Sequence, residues 1–179
     1  MSRRKKHAIE NHKRRLGKKD TIYDSWKVRW FTCVLMNDGK YAVAYKIVCN
    51  AFDLLIADLH SSQLAEDVKK EKVLEAFDEI LNKARPLAKV ISKRIGGANY
   101  QVPVEVSELD GVRVAFNWII KHARKRSGKT MEQKLYREFM DVLAGKGGAM
   151  NERDMSHRMA AANQAFATGR APAVLTESS

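Results

Sequence analysis

The chain has 179 residues, of which 45% are hydrophobic and 30% are charged, and its formal net charge is +12. This length and composition predict one domain with a buried core, and they exclude a low-complexity chain and a collagen-like fibre. The sequence contains no apolar run long enough for a membrane span, and its basic beginning lacks the apolar stretch of a secretory signal. Cys33 and Cys49 are too few for a disulfide framework or a four-cysteine zinc site, so we expect reduced core thiols in a cytosol-like compartment.

The positive charge is concentrated in two blocks. Residues 1–20 carry nine basic and two acidic side chains, and residues 83–129 carry eleven basic and three acidic ones. Between them, residues 53–80 carry eight acidic side chains and only three lysines. Such segregation is typical of a surface that binds a polyanion, because each phosphate that a Lys or Arg neutralises releases condensed counterions. A merely solvated surface is the alternative interpretation.

The pattern divides the chain into three segments. Residues 1–20 form a basic extension without apolar periodicity, which we expect to order only on an anionic partner. Residues 21–168 have the periodicity of a single helical domain, and residues 169–179 are expected to be a flexible tail.

The first half of the domain predicts three helices. Apolar residues recur at helical spacing from Ser25 to Leu35, from Ala44 to Leu59, and from about Lys70 to Ala84. Gly39 is expected to end the first helix and Pro86 the third, because glycine favours the position after a helix and proline disrupts the helical hydrogen bonding.

Residues 88–106 predict a two-stranded β-hairpin that projects as an arm. A run from Val90 reaches Ile95, a Gly96-Gly97 turn follows, and apolar side chains then alternate from Tyr100 to Val106. Pro103 favours an arm over a central strand, because proline cannot donate to a sheet ladder. The tip has few apolar residues and many groups that hydrogen-bond to phosphate, 2′-hydroxyl or base edges, although an ordinary surface hairpin is the alternative.

The second half of the domain predicts three more helices. A capping residue followed three positions later by an acidic or amide residue marks each start, at Ser107–Asp110, Thr130–Gln133 and Asn151–Asp154. Met155 and Met159 are expected to face the core from the last helix. The predicted fold class is therefore all-α, a six-helix bundle with a protruding two-stranded β-hairpin arm between helices 3 and 4.

No motif predicts catalysis, a cofactor or a metal. Gly128-Lys129-Thr130 resembles the end of a phosphate-binding loop, but Ala123 stands where the first glycine is needed, so Thr130 is interpreted as a helix cap. The five histidines lack the spacing of metal ligands. The acidic side chains of residues 53–80 are interpreted as solvated charge, with repulsion of RNA or contact with a basic protein left open.

Four blocks of the sequence resemble the family of small-subunit ribosomal protein seven, bacterial type. They are residues 36–40, the arm sequence at 93–106, the stretch at 117–126 and the closing block at 152–167. Their order and spacing match the family over about residues 25–168. Two departures stand out: relatives typically carry arginines where this chain has Ser107–Gly111, and the chain lacks the aromatic and basic ending of the family.

The resemblance implies a non-enzymatic, primary rRNA-binding protein that organises the 3′ major (head) domain of small-subunit rRNA. It also implies a location at the exit site, beside tRNA and mRNA, in a ribosome of the cytoplasm or of an organelle. The implied neighbours are protein eleven of the platform and head proteins nine, thirteen and nineteen. Two alternatives remain from the residues themselves, a DNA-bending architectural protein with basic β-arms and an enzyme that acts on RNA.

The charge pattern and the resemblance together give a set of expected binding residues. Those expected to bind rRNA are Arg3, Arg4, Lys5, Lys6, Lys13, Arg14, Arg15, Lys40, Lys93, Arg94, Arg124, Lys125, Arg126, Arg153, His157 and Arg158. Those expected to face exit-site tRNA and mRNA are Arg94, Gly96, Gly97, Tyr100 and Asn163.

Overall fold

Helices and one hairpin alternate in the order that the periodicity predicts. The computed structural model describes residues 19–58, 65–95 and 97–166. Its elements are α1 (Trp26–Leu35), α2 (Tyr41–Asp58), α3 (Glu66–Ala84), β1 (Ala88–Ile95), β2 (Ala98–Glu105), α4 (Glu108–Lys125), α5 (Met131–Leu143), α6 (Gly148–Ala162) and a 3₁₀ turn (Gln164–Phe166). The predicted fold class, a helical protein with a β-hairpin arm between its third and fourth helices, is confirmed.

Five phenylalanines form the centre of the core, and each comes from a different helix. The residues are Phe31, Phe52, Phe77, Phe116 and Phe139, from α1 to α5 in turn, and all are fully buried. The rings of Phe31 and Phe116 meet edge to face with centroids 5.2 Å apart, and those of Phe52 and Phe77 do so at 5.3 Å. Because edge-to-face pairs add about 1 kcal/mol each to the burial of their area, this cluster fixes how the five helices pack.

Local chemistry explains where most of the helices begin and end. Asp38 and Gly39 adopt positive φ angles of 51° and 73°, which separates α1 from α2. Asp110 N donates to Ser107 Oγ at 3.2 Å and Gln133 N donates to Thr130 Oγ1 at 3.4 Å, so two of the predicted caps are confirmed.

The third predicted cap is wrong, because α6 begins at Gly148 rather than after Asn151. The backbone N–H of Ala149 donates at 3.3 Å to Oε1 of Glu138, a fully buried carboxylate on α5. A side chain from another helix therefore accepts a hydrogen bond from the first turn of α6. A capping pattern of residues close in sequence could not reveal this partner.

The β-arm pairs its two strands in a regular antiparallel register. Ile95 lies opposite Ala98, and Gly97 has a φ of 91°, as the second position of a tight two-residue turn requires. At the other end, Val106 N donates to Leu87 O at 2.9 Å, so that pair is hydrogen-bonded. Since bonded and non-bonded pairs alternate, Pro103 lies opposite Val90 in a non-bonded pair, and its missing N–H removes no rung of the ladder.

Two predictions about buried residues are wrong. Met155 and Met159 are 47% and 51% exposed, because this part of α6 turns Ser156 and His157 toward the base of the arm and leaves the two methionines outside. Cys33 is exposed on α1 and Cys49 is half-buried, so Cys33 is not a core thiol. The third helix also starts four residues before Lys70, at Glu66.

Candidate nucleic-acid interface

A groove with basic residues at its rim lies between the α1–α2 loop, α2, and the junction of α4 with α5. We call it the cationic groove, and its lining residues are Leu35, Asn37, Lys40, Val43, Ala44, Ile47, Arg124 and Met131. Lys40 is exposed at the start of α2, and Val43, one helical turn on, is 58% exposed. The groove therefore combines an apolar floor with cations above it, an arrangement that suits a base flanked by phosphates.

Arg124 is fixed in place at the rim of the cationic groove. Its Nη2 donates to the backbone oxygen of Leu35 at 3.2 Å and to Oδ1 of Asn37 at 3.0 Å. Both bonds use one nitrogen, so the remaining guanidinium donors are not engaged by the residues that the structure describes. Arg124 and the exposed Lys125 also lie in the last turn of α4, where the helix dipole favours positive charge.

Arg126, the next basic residue, is half-buried and engaged by acidic side chains instead. Its Nε donates to Oε2 of Glu138 at 2.7 Å, and its Nη2 pairs with Asp141. Burial by itself would lower the pKa of Arg126, but the hydrogen bonds to Asp141 and Glu138 raise it above its usual value. Because these partners lie on α5, the ion pairs tie the end of α4 to that helix, and the expected RNA contact of Arg126 stays a prediction.

The tip of the β-arm carries charge on both of its faces. Lys93 lies opposite Tyr100 and Arg94 lies opposite Asn99. Since successive residues of a strand point to opposite faces, Lys93 and Arg94 project in opposite directions. Both side chains are exposed, whereas Tyr100 is half-buried. Gly97 lies at the tip with its positive φ, and Gly96 lies outside the described residues.

The expected binding residues of α6 divide into two groups. Arg153 and His157 bond to the backbone of other elements, Arg153 to Lys83 O at 2.7 Å and His157 to Leu87 N at 2.9 Å. Arg158 is exposed, and Asn163 donates to Met159 O at 2.8 Å just after the helix. Only Arg158 of this group presents an exposed cation.

Most of the basic extension lies outside the described residues, including its expected rRNA ligands Arg3, Arg4, Lys5, Lys6, Lys13, Arg14 and Arg15. The point where the extension joins the fold is described. Asp20 is buried there, and its Oδ2 accepts from the backbone N–H groups of Ile22 at 3.1 Å and Tyr23 at 2.6 Å. Lys19 pairs with Asp24 at 2.5 Å. These contacts hold the turn that connects residue 19 to the start of α1.

Sequence reasoning missed the apolar floor of the cationic groove. Val43, Ile47 and Met131 line it, but at helical spacing they are indistinguishable from core residues. A weak signal was available for Val43, because it lies one position before the buried Ala44 and therefore off the core stripe. The sequence pattern also did not predict the contact of Arg29, whose guanidinium lies 5.7 Å from the ring centroid of Tyr41, which stacks on Tyr45.

The part of the chain that the structure describes shows neither a metal-binding cluster nor a membrane-spanning helix. No group of three His, Cys, Asp or Glu side chains in that part could hold a metal ion. None of its helices is long and apolar enough to cross a membrane.

Comparison with known proteins places the chain in one family. The family model described as ribosomal protein S7p/S5e matches residues 3–164. The chain is 42% identical over 167 residues to small ribosomal subunit protein uS7 of Desulfotalea psychrophila, an alignment that covers 93% of this chain and 98% of that one. It is 43% identical over 167 residues to the uS7 protein of Chlamydia abortus, with the same coverage. With uS7 of Salinibacter ruber it shares 39% over 158 residues, which cover 88% and 95% of the two chains. The chain thus belongs to the ribosomal protein S7p/S5e family.

Proposed function

We propose that this chain is a structural constituent of the small ribosomal subunit that binds rRNA through the cationic groove and the β-arm. The observation that carries the proposal is that Lys40 and Arg124 both lie at the rim of one apolar groove. Arg124 is held by Leu35 and Asn37, so little of its conformational freedom is lost on binding a phosphate. The names of the relatives, all small ribosomal subunit proteins, support the same assignment.

At a finer level, the proposed RNA target is the 3′ major domain of small-subunit rRNA, which forms the head. The family resemblance supports this choice, and so does the division of the cations between a groove on the helical body and an arm that reaches away from it. Such a division lets one protein hold separate RNA segments together. No catalytic role is proposed.

The exposed tip of the arm and the end of α6 are the proposed contacts for exit-site tRNA and mRNA. Arg94, Gly96, Gly97, Tyr100 and Asn163 are the residues assigned to that role. The proposed protein neighbours are proteins eleven, nine, thirteen and nineteen of the small subunit, and the proposed location is the ribosome of the cytoplasm or of an organelle.

Binding of the full chain to an RNA fragment of the 3′ major domain tests the proposal. We expect the purified chain to bind that fragment in preference to duplex DNA and to a 5′-domain fragment of equal length. Changing Lys40 to Ala and Arg124 to Gln together should weaken binding and lower the slope of log affinity against log salt by about two units, one for each phosphate that is no longer neutralised. Filter binding at several salt concentrations measures both quantities.

The matched control changes Lys46 and Lys72 together to Ala. Both are exposed lysines, and neither lines the cationic groove. This control should keep the salt slope of the wild type. A preference for duplex DNA, or equal slopes for the two double variants, would contradict the proposal.

A further inference from the structure

Three side chains on one face of α6 bind the backbone that leads into the β-arm. Arg153 Nη1 donates to Lys83 O at 2.7 Å, Ser156 Oγ donates to Ala88 O at 2.9 Å, and His157 Nε2 accepts from Leu87 N at 2.9 Å. Their spacing of three and four residues places them side by side on the helix. We call these three residues the α6 clamp, and its partners lie within residues 83–88.

The connection held by the α6 clamp is also held from α4. Arg85 pairs with Glu108 at 3.5 Å, and a Cβ added to Gly111 would lie 3.2 Å from the backbone oxygen of Pro86. Pro86 itself has a restricted φ angle. The chain is therefore gripped on two sides just before β1 begins.

The α6 clamp holds the base of the arm, so a small rotation there moves the tip by a larger distance. Each strand has eight residues, and at about 3.4 Å per residue the arm extends roughly 27 Å. A rotation of about 10° at its base would then move the tip by roughly 5 Å, which is more than a hydrogen bond tolerates.

His157 holds the arm in a form that carries no charge. To accept from Leu87 N–H, its Nε2 must present a lone pair, so the ring is neutral and its proton is on Nδ1. A neutral ring engaged in this way is a poor partner for a phosphate. The inward direction of the clamp also explains why Met155 and Met159 face outward.

We propose that Arg153, Ser156 and His157 are positioning residues that set the direction of the β-arm, rather than direct RNA ligands. The proposal rests on the proposed function, since it assigns these residues their part in RNA binding through the arm. It also assigns a mechanical link between α6 and the arm, because the two move together as long as the clamp is closed.

The geometry of the arm can be measured in the free protein, without RNA. Spin labels at Ser92→Cys on β1 and Ser127→Cys after α4, in a background with Cys33→Ser and Cys49→Ala, report the distance between arm and body by pulsed electron paramagnetic resonance. We expect a narrow distribution for the parent and for His157→Gln, whose amide oxygen can accept the Leu87 bond. His157→Lys cannot accept it and should broaden or shift the distribution. The same distribution in all three would overturn the proposal.

RNA binding separates positioning from direct contact. If His157 touched a phosphate, His157→Lys would bind RNA as tightly as the wild type or more tightly, and His157→Gln would bind less tightly. The clamp predicts the reverse order, with a loss of tenfold or more for His157→Lys and less than threefold for His157→Gln. Met155→Lys adds the same charge one half-turn away on the exposed side of α6, so it serves as the matched control.

Thermal unfolding shows whether a variant binds RNA weakly only because its fold is less stable. If His157→Lys unfolds early, the weaker Ser156→Ala variant repeats the test, and it should also shift the distance distribution. Failure of the wild-type chain to bind RNA would count against the proposed function, while the distances in the free protein would still decide the role of the clamp.

Discussion

Neighbouring basic residues of this chain have different roles, because some are exposed and others are half-buried and paired with carboxylates. Arg124 and Arg126 are two positions apart at the end of α4, yet Arg124 keeps donors directed at the cationic groove while Arg126 is engaged by two carboxylates. Glu138, one of those carboxylates, is only 1% exposed and also accepts from the start of α6. Arg126 therefore compensates a charge that would otherwise be buried alone.

Removing Arg126 should destabilise the fold without a comparable effect on the RNA surface. Arg126→Met leaves the Glu138 carboxylate without its cation, and we expect the free energy of unfolding to fall by about 3 kcal/mol, as for other broken buried pairs. Urea unfolding measures the loss. The adjacent change Lys125→Met, at an exposed side chain, should cost less than about 0.5 kcal/mol. Equal stability of the two variants would contradict this role for Arg126.

At the scale of elements, α6 depends on tertiary contacts along its whole length. It begins with Gly148, and a Cβ at that position would overlap the imidazole of His122 on α4. Glycine is therefore required at this close approach for a reason of packing, although it is a poor helix former. The half-buried His122 in turn lies 3.4 Å from Glu152, one turn along α6.

A double-mutant cycle tests the close approach of α6 to α4. Gly148→Ala alone should lower the free energy of unfolding by about 1–3 kcal/mol, the usual range for overpacking. In a His122→Ala background the same change should cost little, because the ring that it would strike is gone. Guanidinium unfolding of the four proteins gives the coupling. Identical costs of Gly148→Ala in both backgrounds would show that the contact does not limit the packing.

Sequence patterns predicted the elements whose causes are local and missed those whose causes are distant. The helical stripes, the caps at Ser107 and Thr130 and the Gly96-Gly97 turn depend on residues within a few positions of one another, so they were readable. The start of α6 depends on Glu138, which no local pattern relates to it. The outward Met155 and Met159 had the spacing of core residues, and only the polar contacts of α6 with the arm base explain their exposure.

The candidate site was predictable in its charges and not in its geometry. Lys40 and Arg124 were expected to bind RNA, but 84 positions separate them, and only the fold brings them to one groove. The expectation for Arg153 and His157 came from the family resemblance of the last helix, which does not distinguish a surface ligand from a residue that holds the backbone.

The described part of the chain presents its expected RNA-binding cations on two separate surfaces, the cationic groove and the β-arm. The cationic groove lies on the helical body, and Lys93 and Arg94 lie near the far end of the arm. Because the residues that line the groove and those at the arm tip are different and lie on different elements, their contributions to RNA binding should be independent. Under the proposed function, a single fold then offers two contacts to RNA.

Independence of the two surfaces predicts additive effects on RNA binding. Changing Lys93 and Arg94 to Ala should lower the salt slope by about two units, and combining this pair with Lys40→Ala and Arg124→Gln should lower it by about four. Filter binding across a salt series measures all four proteins. A combined reduction no larger than that of one pair would mean that the surfaces do not bind the same RNA at once.

The place of Pro103 also affects what happens to the chain before it meets RNA. Both strands of a two-stranded arm are edges, and any stretch of the outer edge of β2 that α6 and the 3₁₀ turn leave uncovered could pair with another chain. Pro103 lies in a non-bonded pair with Val90, so its backbone nitrogen faces the outer edge of β2. Because proline has no N–H, it offers no donor there. The same proline that leaves the ladder intact thus removes one of the donors that a second strand would need at that edge, which disfavours pairing between two copies of the chain.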